Sequence, residues 1–324
     1  MHAPLNIFLT FDIEVWCNGW TALDERFPAA FERYIFGRSS AGDFALPRTL
    51  EILHRHRLKG VFFVEPLFSL RFGKEYLRTI CQLIQDAGQE IQLHLHPEWT
   101  DEIRPAIFPD KPYKRQHLFH YDRAEQTHLI KRGRALLEAT ADQPISAFRA
   151  GSFAANGDTL AAVAEAGLNI DASLNATCAF SGADLRDQID LTLPQRYHGL
   201  QLVPLSVFRD GTGKLRHAQI GACSVAELQA AMRDAQCKGH RTFTILSHNF
   251  EMLRSGSSEP DGWVVKRFER LCGFLATHRE HFPTRGLNEA LALPEQGTSL
   301  AWPRVGPVAT LIRYYEQTQR RLRR

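Results

Sequence analysis

The sequence predicts an α/β fold: a barrel of about seven mostly parallel strands, followed by a helical, basic C-terminal tail. Three observations predict it. Short apolar runs alternate with segments of helical period, and that alternation gives parallel strands joined by right-handed crossovers. The chain has 324 residues, enough for an α/β barrel plus an extension. It lacks GxGxxG and GxxxxGK followed by Ser or Thr, so a nucleotide-binding doubly wound sheet has no support.

The elements follow in order. Leu5–Ile13 is a continuous apolar run and the first strand. Leu46–Arg57 carries Leu46, Leu50 and Leu53 at helical spacing. Gly60–Glu65 is the second strand. Tyr76–Ala87 is a helix stopped by Gly88, and Glu90–His96 is the third strand. The proline-rich stretch from Pro97 to Tyr121 is too polar for a core and reads as a loop over one face. Arg123–Thr140 is a helix, Ile145–Arg149 a strand, and Asp158–Ala166 a helix ended by Gly167. Strands at Leu168–Ser173, Gly199–Leu205 and Thr242–His248 follow, with helices at Val225–Cys237 and Asp261–His281. From Pro294 the chain reads as an appendage, helical over Leu311–Leu322. The division expected is a barrel over residues 1–295 and a basic extension over 296–324.

Composition narrows the function. Hydrophobic residues make up 44% and charged residues 23%, the balance of a globular chain rather than a disordered one. A net charge of +3 is too small to imply a nucleic-acid partner. The charge is uneven, because residues 304–324 hold six arginines against one glutamate. A basic tail on a mildly acidic body fits peripheral contact with an anionic membrane face. The six cysteines form no CxxC pair and fit a reduced compartment. With no basic, apolar leader and no apolar run of about 18 residues, the expected location is cytoplasmic, at most peripheral to the inner membrane face.

The informative residues stand where strands end. In a parallel barrel the C-terminal strand ends converge on one face, where active sites are built. Asp12 and Glu14 share a face at the end of the first strand; one of them binds a metal and the other acts as base. His94 and His96 share a face at the end of the third strand. Two imidazoles and a carboxylate make a three-ligand zinc site with a position open for water. Glu98, four residues after His94, is the alternative to His96 as a ligand. Arg149 ends the fourth strand, suited to holding a catalytic carboxylate ionised, and His248 ends the seventh, placed to donate a proton.

Together these pieces resemble the polysaccharide deacetylase family, the NodB-homology or carbohydrate esterase family 4 group, over roughly residues 5–290. Thr10-Phe11-Asp12-Ile13-Glu14 is similar to the family's TFDD motif, with Ile13 at its second Asp, which moves the metal role to Glu14. His94-Leu95-His96-Pro97 is similar to its histidine motif, here with a spacing of two. Arg149-Ala150-Gly151-Ser152-Phe153 is similar to RxP, with Gly151 in the proline's place. Asp171-Ala172-Ser173-Leu174 and Leu246-Ser247-His248 are similar to the later elements, in the family's order.

The resemblance implies a distorted barrel, one divalent metal (zinc), and removal of acetyl groups from an N-acetylated sugar or glycan precursor. It implies Glu14, His94 and His96 as metal ligands, Asp12 as base supported by Arg149, and His248 as acid. The Ser152–Phe153 backbone is expected to face the oxyanion, and Trp16, Trp99 and Phe153 are the candidates for stacking on the sugar, with aromatic core the alternative for Phe153. Two rival functions use the same residues: an amidohydrolase-type hydrolase of another C–N bond, and a catalytically degenerate glycan-binding homologue.

Overall fold

The structure is a computed structural model that describes residues 3–110, 113–292 and 300–322. The expected boundary between residues 295 and 296, and Arg323 and Arg324 of the tail, lie outside the described residues. All seven expected strands form: β1 (Asn6–Ile13), β2 (Gly60–Val64), β3 (Glu90–Leu95), β4 (Ala147–Ala150), β5 (Ile170–Asp171), β6 (Leu200–Leu202) and β7 (Thr242–His248). They read as near-continuous apolar runs because parallel strands are buried on both faces; every residue of β2 and β4 is buried.

The chain divides into two compact units. One comprises residues 1–60, 205–286 and 296–324, and the other residues 61–204 and 287–295. In the first unit β1 pairs parallel with β7, from Asn6 opposite Thr242 to Asp12 opposite His248. Helices Leu46–His56, Val225–Cys237 and Gly262–Thr277 belong to this unit. Ser224 and Glu227 close a reciprocal capping box on the second of these, and Asp261 caps the third. In the second unit β2, β3, β4, β5 and β6 pair in parallel in that order. Gln195–Tyr197 adds antiparallel to the outer edge of β6. Helices Lys74–Asp86, Arg123–Ala141 and Gly157–Glu165 form the crossovers, the last two opened by capping boxes from Asp122 and Asn156.

Two expectations are corrected. The stretch after Pro97 is not a polar cover. Pro97–Glu102 is a 3-10 turn with Pro97, Glu98, Trp99 and Thr100 buried. Its polar groups are buried because they are paired: Thr100 Oγ1 with Tyr121 Oη at 3.0 Å, and Arg115 with Glu125 at 2.6 Å. The segment after β1, to which the sequence reading assigns no element, holds the helix Leu23–Phe31 and a π-helical turn, Glu32–Phe36.

Second, the tail's arginines are not all available to a membrane face. The helix Pro307–Leu322 turns its polar side inward, burying Thr310, Arg313 and Glu316. Arg313 Nη2 reaches Asp210 Oδ2 at 2.8 Å and its Nε reaches Glu227 Oε1 at 2.9 Å. Arg267 pairs with Glu316 at 2.6 Å and Arg320 with Asp261 at 2.8 Å. What this helix exposes is largely apolar, including Val308, Leu311, Tyr315 and Leu322, with Thr318 and Arg321 among them. Among the described residues no helix is long and apolar enough to cross a membrane.

Candidate active site

In the first unit the parallel register of β1 and β7 sets Asp12 directly beside His248. Glu14 follows two residues on. Asp12, Glu14 and His248 each offer a ligand-type atom, all within 4.8 Å of one another. Asp12 and Glu14 are buried, at 2% and 7% exposure, so their charges are poorly screened. Trp16 Nε1 donates to Glu14 Oε2 at 2.6 Å, placing the indole beside the carboxylate.

His248 is held by a residue the sequence reading missed. Its Nδ1 lies 3.0 Å from Glu251 Oε1. Glu251 is fixed in turn by the Gly221 N–H at 2.6 Å, by Ser247 Oγ at 3.2 Å and by Gln219 Nε2. A Cβ on Gly221 would come within 2.6 Å of Glu251 Oε2, so glycine is what lets the carboxylate seat there. Burial alone would lower the imidazole's pKa. The Glu251 hydrogen bond and the charges of Glu14, Glu251 and Asp12 outweigh it and push His248 up to about 9. The available signal was a carboxylate three residues after a strand-end histidine.

Replacing Glu251 by Gln is expected to lower the His248 pKa of the metal-free protein by about one unit or more, read from its imidazole resonances by NMR. A value still near 9 would contradict the pairing. The imidazolium's stabilising contribution is complete below the unfolded pKa of about 6.5 and is lost as pH rises through about 9.

Asn249 ties this corner together. Its Oδ1 accepts from the Glu14 N–H at 3.1 Å, and its Nδ2 donates to the carbonyls of Glu14, at 3.0 Å, and Tyr34. One amide thus links the ends of β1 and β7 to the π-helical turn.

In the second unit His94 is paired in register with Arg149. His94 Nδ1 lies 2.8 Å from the Arg149 carbonyl, which can only accept, so the proton sits on Nδ1 and the Nε2 edge carries the lone pair. His96 Nδ1 lies 3.2 Å from Glu98 Oε2, and the two imidazoles stand edge to face with centroids 4.9 Å apart. An Nδ1–H bound to a carbonyl or carboxylate is how proteins orient a metal-ligating histidine. Carboxylate and imidazole donors of this kind suit a divalent cation such as zinc.

Arg149 is wholly buried, with its guanidinium over the Phe63 ring at 4.1 Å and its Nε donating to the Ala172 carbonyl at 3.2 Å. Its charge also acts on Asp171. Burial raises the Asp171 pKa to about 6 despite two hydrogen bonds from Ser173 and the pull of Arg149. Ser173 Oγ donates to Asp171 Oδ2 at 2.7 Å and accepts from the Ala150 N–H at 2.9 Å, which anchors the loop after β4. Within that loop Ser152 and Phe153 both take positive φ, 56° and 57°. Two successive left-handed non-glycine residues are strained, a condition found where backbone is held for function.

The proposed stacking residues separate. Trp16 is half-buried and meets Trp20 edge to face at 6.1 Å. Trp99 is a correction: at 2% exposure it packs on Phe68 and Phe72, with centroids at 6.4 and 5.9 Å, so it is core and cannot meet a sugar. Phe153 is mostly buried and Ser152 exposed.

No family model matches the chain, and no curated protein matches its sequence. Solved structures do match. A Mycobacterium smegmatis protein described as a polysaccharide deacetylase superposes with a TM-score of 0.58 at 17% identity, over 92% of this chain and 95% of that one. A family 4 carbohydrate esterase from Streptomyces lividans, in complex with acetate, matches at 13% identity and a TM-score of 0.40, over 93% and 98%. A family 4 pseudoenzyme from Bacillus anthracis matches at 14% identity and a TM-score of 0.43, over 93% and 69%. At such identities likeness speaks for the fold alone, and the first superposition carries it: the chain has the mostly parallel α/β, NodB-like fold of the polysaccharide deacetylases.

Proposed function

We propose that this chain is a metal-dependent hydrolase that removes the N-acetyl group from an amino sugar in a glycan or glycan precursor, releasing acetate and a free amine. One observation carries the reading: a buried Asp12 set by strand register beside a His248 that Glu251 keeps protonated. A carboxylate and an imidazolium side by side at strand ends are a base and an acid ready for amide hydrolysis.

In this reading Glu14, His94 and His96 would hold one zinc ion. Glu98 is occupied in orienting His96, which favours His96 over Glu98 as the ligand. When bound, the metal polarises the amide carbonyl and makes water more acidic. The chain's own groups do the rest. Asp12 takes a proton from the attacking water as the water oxygen bonds to the carbonyl carbon. The strained backbone at Ser152–Phe153 offers an N–H to the oxyanion. The C–N bond then breaks, and the Nε2 proton of His248 passes to the leaving nitrogen. Trp16 flanks the sugar.

Two results test the metal assignment. His94→Ala is expected to abolish stoichiometric zinc binding in a titration against a chelating dye, and acetate release with it; full zinc binding by that variant would refute the ligand set. Gly151→Ala is expected to weaken zinc binding by about 10–100-fold. A Cβ there would sit 2.6 Å from the His96 ring and force the imidazole out of place. This contact also accounts for glycine where the related motif carries proline. Unchanged affinity would mean that His96 is not a ligand.

A further inference from the structure

Beside the Glu14–Trp16 pair, on the first unit, lies a cleft of about 540 Å³ whose lining includes Trp16, Glu25, Arg26, Arg33 and Tyr34. Its walls are Trp16 on one side and the helix Leu23–Phe31, running into the π-turn Glu32–Phe36, on the other. Asn249 joins the two walls by bonding both Glu14 and Tyr34, so the cleft is fixed relative to Glu14.

The cleft's charge is what needs explaining. Among the described residues Arg26 bonds only weakly, to Thr21 Oγ1 at 3.4 Å, and Arg33 lies over the Tyr34 ring at 5.2 Å. Neither makes an ion pair there, whereas nearby Arg38 pairs with Glu32 at 2.9 Å. Among the residues that line it, two guanidiniums stand against the single carboxylate of Glu25, while the Glu14 carboxylate lies behind Trp16. Guanidinium forks match carboxylate and phosphate oxygens, and aromatic walls accept the C–H face of a pyranose. The π-helical turn supplies Arg33 and Tyr34, and such turns concentrate at functional sites.

We propose that this cleft is a subsite for an oxyanion carried by the substrate, a phosphate or a carboxylate on or next to the N-acetylated sugar, held by Arg26 and Arg33 with the ring against Trp16. The inference rests on the deacetylase reading and narrows its substrate to an anionic amino sugar rather than a neutral one.

Binding to the intact chain tests it without turnover. N-acetylglucosamine, its 1-phosphate, and a disaccharide of N-acetylglucosamine with glucuronate are each titrated calorimetrically. At least one anionic sugar is expected to bind about tenfold or more tighter than the neutral one. The phosphate and carboxylate arms identify which oxyanion is preferred. The advantage shrinks as salt rises from about 0.05 to about 0.5 M. It falls to within about threefold in the Arg26→Ala/Arg33→Ala double variant and persists in Arg55→Ala, which removes a positive charge away from the cleft. Both cleft arginines are at least partly exposed, so the double variant keeps the fold, checked by its circular dichroism. Equal binding of neutral and anionic sugars, or a preference that survives the double variant, overturns the subsite. Acetate released with no such preference refutes this inference alone; a preference with no acetate from any sugar refutes the deacetylase reading alone.

Discussion

Replacing Asp12 by Asn is expected to leave zinc binding intact while lowering kcat for acetate release by about 10²–10⁴-fold. The substitution preserves shape and removes the ability to take up a proton. Asp12 is 2% exposed and set opposite His248 by seven consecutive register pairs between β1 and β7, so the backbone gives the new amide no freedom to move away. The loss should fall on kcat with little change in KM, because the base acts in the transition state rather than in holding the sugar. Activity within tenfold of the parent would remove Asp12 from the chemistry.

The second large effect concerns stability. Arg313→Ala is expected to destabilise the protein by about 3–5 kcal/mol, because it strips the partner from two buried carboxylates at once. The side chains of Asp210 and Glu227 have no exposed surface, and that of Arg313 is 3% exposed. Asp210 shows the electrostatic consequence. Burial would raise its pKa, yet hydrogen bonds from Thr212 and Lys214 and the charge of Arg313 hold it below the usual carboxylate range. The melting temperature should fall by roughly 5 °C or more. Arg321→Ala, on the exposed side of the same helix, should change stability by less than about 0.5 kcal/mol. Equal, small effects at both positions would mean that the helix is not anchored through Arg313.

The reason the strands were legible is physical. Parallel strands such as Asn6–Ile13 and Thr242–His248 are buried on both faces and carry charged or imidazole side chains only near their ends. Asp12, His94, Arg149 and His248 therefore stood out as exceptions to an apolar pattern, and their positions on the strands could be read directly.

What escaped had no such contrast. The helix Leu23–Phe31 contains Pro28, which argues locally against a helix, and it continues into a π-turn that no ordinary periodicity marks. The antiparallel pieces Val207–Arg209 and Leu215–His217 are three residues each, too short for alternation to show. Trp99 follows the histidine motif and so looked exposed to substrate. Only its contacts with Phe68 and Phe72, distant in sequence, reveal it as core.

The same holds for ion pairs. A run of arginines near a terminus reads as a charged surface until Asp210, Glu227 and Asp261 are found beneath it. Glu251 was missed because its importance comes from the cradle of Gly221, Gln219 and Ser247, which a one-dimensional pattern does not contain.

The most direct measurement is acetate release by the intact chain, stripped with a chelator and then reloaded with one equivalent of zinc, against N-acetylated saccharides that include the anionic ones above. The account predicts acetate and free amine in equal amounts from the reloaded protein and none from the stripped protein. Stoichiometric zinc binding with no acetate from any sugar, or equal acetate with and without metal, would contradict it.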